Sequence, residues 1–156
     1  MRATRLLLLA WATLACGCAT ETAPAVRMAN VKQLMGAVIE PAAEVYWDAV
    51  GAIIDENGLD EFAPSSPNEW AAVRNSALVL AESGDLLMVE SRAVDQETWA
   101  TLSLAMNEAG SLALAAADAQ DPDAVFDAGA EVYFACAACH AAYAPEIVRP
   151  SDVRDE

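Results

Sequence analysis

Basic residues are scarce: eight lysines and arginines stand against 24 aspartates and glutamates in 156 residues, a formal net charge of −16. So acidic a chain does not hold nucleic acid through its phosphates, and an anionic lipid surface repels it. Histidine is scarcer still, with His140 the single instance. That excludes a Ser/His/Asp triad with an imidazole to spare, and it excludes iron held by two histidines of one chain. Four cysteines are too few for a disulfide scaffold. Seven glycines and seven prolines leave no Gly-rich phosphate loop, low-complexity block or repeat. The longest apolar run, Leu6 to Leu14, is too short to cross a membrane.

That run follows Met1-Arg2-Ala3-Thr4-Arg5, a basic start, and together they form a bacterial-type export signal. The segment Thr13-Leu14-Ala15-Cys16-Gly17-Cys18 resembles a lipoprotein cleavage box, with Cys16 or Cys18 as the lipidated residue. Plain cleavage near Ala19 is the alternative. Two acyl chains would give a durable anchor, and either route takes the mature protein to the periplasm. Removing residues 1–18 takes Arg2 and Arg5 with them, leaving six basic residues against 24 acidic ones, or −18. Such a surface keeps a protein soluble and can steer encounter with a basic redox partner.

Residues 19–25 read as a tether, 26–144 as the folded domain and 145–156 as an acidic tail. In the domain, Val31, Leu34, Met35, Val38, Ala42, Val45, Tyr46, Ala49 and Ile53 follow a helical stripe that stops at Asn57-Gly58. Pro41 should kink that helix. After a loop from Leu59 to Ser65, Ser66-Pro67-Asn68-Glu69 forms a capping box. The second helix then runs to about Glu90, loosened by Gly84. A third starts near Asp95, and Asp121-Pro122 caps and opens a fourth that Pro145 ends. Four helices with short links predict an all-α, antiparallel up-down-up-down bundle. The many carboxylates show no metal-loop spacing and read as solvated helix faces and caps.

On the fourth helix lies Cys136-Ala137-Ala138-Cys139-His140, a C-x-x-C-H attachment site for a c-type haem. Two thiols three residues apart each add to a vinyl group, and the adjoining imidazole binds the iron. A thioredoxin-like motif needs a βαβ setting, and a structural zinc site wants four ligands. A chance pentapeptide and a plain disulfide in a non-haem helical lipoprotein are the remaining readings. Opposite the iron, the early turns of the first helix should face the haem. Methionine is the natural sixth ligand there. Met28, Met35 and Met88 lie at the right level, Met35 first and Met28 second, whereas Met106 reads as too deep in the third helix.

An exported chain of this length, with four helices and one such motif followed by Ala141-Ala142-Tyr143, resembles cytochrome c′ and its low-spin, methionine-ligated relatives. The Leu34-Met35-Gly36 element adds to the likeness. The resemblance implies thioethers at Cys136 and Cys139, a proximal bond from His140 and, in the low-spin relatives, a distal bond from Met35. It implies one-electron transfer, and with no Ser/His/Asp set and the single imidazole committed to iron, the residues do not support a catalytic role. With an apolar, vacant distal site, as in cytochrome c′ itself, it implies NO or CO binding instead. It also implies a homodimer through the first two helices. The family often carries a basic residue after the aromatic matched here by Tyr143. This chain has Ala144, leaving Arg149 or Arg27 to meet the haem propionates.

Overall fold

A computed structural model describes residues 28–56 and 58–148. The expected export signal and tether, Cys16 and Cys18, Arg27, Asn57, Arg149 and the end of the expected tail lie outside the described residues. In chain order the elements are α1 (Val31–Leu34), a π-helical turn (Met35–Ile39), α2 (Glu40–Trp47), β1 (Gly51–Asp55), β2 (Gly58–Phe62), α3 (Pro67–Leu87), α4 (Thr98–Ala119), α5 (Pro122–Tyr143) and α6 (Pro145–Val148). The protein is mostly helical, with one small two-stranded sheet.

Helices α1, α3 and α5 begin where a side chain supplies an acceptor for their unpaired N–H groups. Asn30 and Gln33 form a reciprocal capping box on α1. Ser66 and Glu69 form the expected one on α3. Asp121 accepts from the N–H groups of Asp123 and Ala124 at the start of α5. Three hydrogen bonds from Ser65 and Ser66 hold the Glu69 carboxyl below the usual range.

Pro41 acts one turn ahead of itself. A regular helix would ask residue 41 for an N–H it lacks and would press its ring on the carbonyl of Ala37. The chain widens instead, and the Glu40 N–H bonds to Met35, five residues back. The buried face shifts accordingly. Leu34 and Ile39 are both buried although five residues apart, followed by Ala42, Ala43 and Tyr46, while Val38 and Val45 of the expected stripe are exposed.

The first helical segment ends at Trp47, ten residues short of the expected stop. Ile53 belongs to β1, and the expected Leu59–Ser65 loop begins as β2. The strands pair antiparallel from Gly51 opposite Phe62 to Asp55 opposite Gly58. Gly51-Ala52-Ile53-Ile54 suits a strand, since β-branched side chains lose little there, and Gly58 sits at φ 128°, where glycine is at home. The all-α expectation is corrected by this hairpin.

The core lies where α3 and α4 pack, closed by α2 and α5. Val73, Ala77 and Leu80 meet Met106, Ala109 and Ala113, with Val125 and Val132 from α5 and Tyr46 from α2. Tyr46 is fully buried and donates to the Ala113 carbonyl at 3.2 Å. Small residues bring α3 and α4 close. A Cβ on Gly84 would stand 2.1 Å from the Ser103 carbonyl oxygen, and one on Gly110 would stand 2.3 Å from the Ala81 nitrogen. Gly84 is thus a point of close approach, not a loosening of its helix. Two other ends move: α3 stops at Leu87 instead of Glu90, and α4 starts at Thr98. Asp95 lies ahead of α4 and accepts the N–H groups of Glu97 and Trp99.

Candidate functional site

A cavity of about 370 Å³ opens between the first helical segment and α5, and it brings together two thiols, two thioethers and the imidazole of His140. Its floor is α5. Val125, Ala128, Gly129 and Val132 bury one stripe of that helix. Cys136 is the next residue on the stripe, and Cys139 and His140 follow three and four residues later, one turn on. All three are half-buried and line the cavity.

The opposite wall comes from Met35 and Ile39 of the π turn and from Glu40, Ala43 and Trp47 of α2. The π turn therefore matters to the site, because it keeps both Leu34 and Ile39 buried while Met35, between them, meets the cavity. Leu87 closes one side from α3, and Leu102 and Met106 close another from α4. Ile147 of α6 completes the lining, so the expected tail begins as a short helix over the site.

Among the sequence candidates, Cys136, Cys139, His140 and Met35 share this cavity. Met28 does not line it and is 48% exposed. Met88 is also outside the lining, with Leu87 in its place. Met106, read as too deep, is in the lining and 5% exposed. A start at Thr98 rather than Asp95 brings Met106 three residues, roughly 4.5 Å, closer to the head of its helix. Nothing in the sequence separated Met106 from core-filling methionines. Its signal was positional and depended on that helix start.

The thiols are free. Burial pushes the Cys136 thiol up, and the neighbouring Cys139 adds to the effect. Burial also pushes up Cys139. The pair lies in the second half of α5, away from the helix N-terminus whose dipole lowers the thiol pKa in redox C-x-x-C motifs. This environment favours neutral thiols over a thiolate nucleophile.

Beyond His140 the helix end is held in place. The Tyr143 hydroxyl donates to the Asp95 carboxylate, and its ring meets Trp99 edge-on at 4.9 Å. Trp99 is buried and donates its indole N–H to the Leu87 carbonyl at 2.9 Å. At the other end of the cavity, the Trp47 indole N–H donates to the Gly129 carbonyl at 2.9 Å. Gly129 permits that approach, since a Cβ there would lie 3.3 Å from the indole.

Two thiols one turn apart, an imidazole beside them, two thioethers on other walls and an otherwise mainly apolar lining form a donor set that fits a flat apolar macrocycle with a central iron. Among the described residues no three His, Cys, Asp or Glu side chains converge as a metal cluster, and a haem asks for none, because its own nitrogens hold the iron. A second cleft of about 420 Å³ lies farther along α2 and α5. It shares Trp47 and Tyr133 with the first but contains no thiol, imidazole or thioether. No family model, curated protein or solved structure matches this chain.

Proposed function

We propose that the protein is an exported mono-haem c-type cytochrome that carries single electrons. The observation that supports this most is the meeting of Cys136, Cys139 and His140 with Met35 and Met106 in one mainly apolar cavity. When bound, haem c supplies a one-electron couple at its iron. Cys136 and Cys139 would hold it covalently from one helix, and His140 and Met35 would supply the nitrogen and sulfur that bind its iron. The Tyr143–Asp95 bond fixes the end of the helix that carries His140, and Ile39, Ala43, Leu87 and Leu102 exclude water. A rigid site of this kind keeps its ligands in both oxidation states, as an electron carrier requires.

We read the architecture as an antiparallel up-down-up-down four-helix bundle, with residues 31–47 as the first helix and α3, α4 and α5 as the others. The antiparallel crossing of α3 and α4, Gly84 against Ser103 and Gly110 against Leu80 and Ala81, is consistent with it. The export signal and a lipid anchor at Cys16 or Cys18 put the protein in the periplasm, facing a basic redox partner, with a homodimer as a further assembly. Haem staining of a denaturing gel and a pyridine haemochrome spectrum of the exported protein test the reading. Covalent haem is expected, and a chain free of haem after maturation in a host that assembles c-type cytochromes would sink it.

A further inference from the structure

Haem brings propionates, and the cavity wall has little to meet them. Among the described residues its charged side chain other than His140 is Glu40, a carboxylate that makes a compensating cation more necessary. The described residues include three lysines and arginines: Lys32, Arg74 and Arg92. Arg74 is engaged by Asp118 at 2.6 Å on the α3–α4 surface. Lys32 is exposed on α1.

Arg92 is placed differently. It lies in the loop between α3 and α4, where its Nε donates to the Ala29 carbonyl at 2.9 Å and its Nη1 to the Leu86 carbonyl at 2.6 Å. Ala29 adjoins Asn30, the N-cap of the helical segment that carries Met35, and Leu86 adjoins the cavity-lining Leu87. Three residues beyond Arg92, Asp95 takes the hydroxyl of Tyr143, itself three residues beyond His140. One loop thus joins the start of the first helical segment, the end of α3 and the end of α5. Among the described residues Arg92 donates to these two neutral carbonyls, and no ion pair there neutralises its charge. A guanidinium has five N–H donors, so donors remain for a carboxylate.

On the haem reading above, we infer that Arg92 is the cation that binds a haem propionate. The backbone carbonyls hold its position, and the remaining edge of the guanidinium takes the cofactor's carboxylate. This assigns to the α3–α4 loop the part that the resemblance left to Arg149 or Arg27.

The test uses the full, exported and haem-loaded chain. Potentiometric titration compares the wild type with Arg92→Gln, Arg92→Lys and Lys32→Gln. Glutamine retains amide donors for the two carbonyls and removes the charge. Arg92→Gln is expected to shift the reduction equilibrium about tenfold toward the ferric form, because an uncompensated carboxylate near the iron favours the higher charge. Arg92→Lys should recover most of the shift, and Lys32→Gln should move it by less than about twofold. A merely structural Arg92 would lower the melting temperature of both Arg92 variants and leave the equilibrium unchanged, overturning the assignment. An equal shift from Lys32→Gln would overturn it too. If Arg92→Gln does not accumulate, the wild type decides. Nuclear Overhauser contacts between the guanidinium protons and the propionate methylenes are expected in the ferrous protein, and their absence overturns the assignment. A wild type without covalent haem would instead remove the reading on which the inference rests.

Discussion

The Tyr143 hydroxyl donates to the Asp95 carboxylate, tying the last turn of α5 to the residue that also accepts the Trp99 N–H ahead of α4. That bond pushes the Tyr143 pKa from 10.0 up to about 12, and it is the largest of the effects that lower Asp95 from 3.8. The two shifts carry opposite pH signatures. Stability from a raised tyrosine is fully present below its unfolded value and is lost as pH climbs through the folded one. Stability from a lowered aspartate is present above its unfolded value and is lost as pH falls through the folded one. Tyr143→Phe should therefore cost stability by a constant amount at neutral pH. The gap to the wild type should close between pH 10.0 and about 12, and again as pH falls below 3.8. Denaturant midpoints across that range check this, and a gap independent of pH would mean that the bond contributes nothing.

Gly110 and Gly36 differ in what surrounds them. A Cβ on Gly110 would meet backbone atoms of Leu80 and Ala81 at 2.3 to 2.5 Å, whereas one on Gly36 would find nothing within 4 Å. Backbone cannot step aside as a side-chain tip can, so Gly110→Ala must separate α3 from α4. A loss of roughly 1–3 kcal/mol or more is expected from such overpacking. Gly36→Ala gains helix propensity and should be neutral or stabilising by up to about 1 kcal/mol. Urea unfolding of the two variants compares them directly, and equal effects would refute the close helix crossing.

The motif and the helix caps were legible because each is a short-range pattern with its own chemistry. Ser66 with Glu69 and Asp121 with Pro122 cap helices as read, and Cys136, Cys139, His140 and Met35 converge in one cavity. The hairpin was not legible. Ala49 and Ile53 continue the helical period by spacing alone, and Asn57-Gly58 serves as a sequence signal for a helix stop and for a hairpin turn equally well. What decides between them is the run Gly51-Ala52-Ile53-Ile54, whose partner, Leu59 to Phe62, becomes evident only when the register is known. Met106 was missed because three residues of uncertainty in a helix start are worth most of a turn.

Replacing the methionines separates the distal ligands. Met35 is half-buried and Met106 almost fully buried, both in the cavity wall. With Met35 as the ligand, Met35→Leu should convert the sharp α and β bands of the reduced protein to a broad high-spin spectrum that CO shifts. Met106→Leu, a near volume-conserving change, should leave the bands in place at a cost below about 1.5 kcal/mol. The opposite pattern would assign the bond to Met106. A wild type that is already broad and CO-sensitive would favour gas binding over electron transfer.

Pro41 gives the distal wall a cause that can be removed. In the present structure the Glu40 N–H reaches Met35 rather than Gly36, and the widened turn puts Leu34 and Ile39 on one buried face. In a regular helix residues five apart diverge by roughly 140°, so the same segment could not keep both against the core. Alanine at position 41 restores an N–H and removes the ring that presses on the Ala37 carbonyl, which lets the turn tighten to an ordinary helix. Tightening would rotate Met35 relative to α2 and draw its sulfur from the cavity. If the protein carries a haem ligated by Met35, Pro41→Ala is therefore expected to keep the helical circular dichroism while losing part of the low-spin spectrum, as is expected of Met35→Leu. A fully low-spin Pro41→Ala protein that retains the Glu40-to-Met35 bond would show that core packing, rather than the proline, sets the turn.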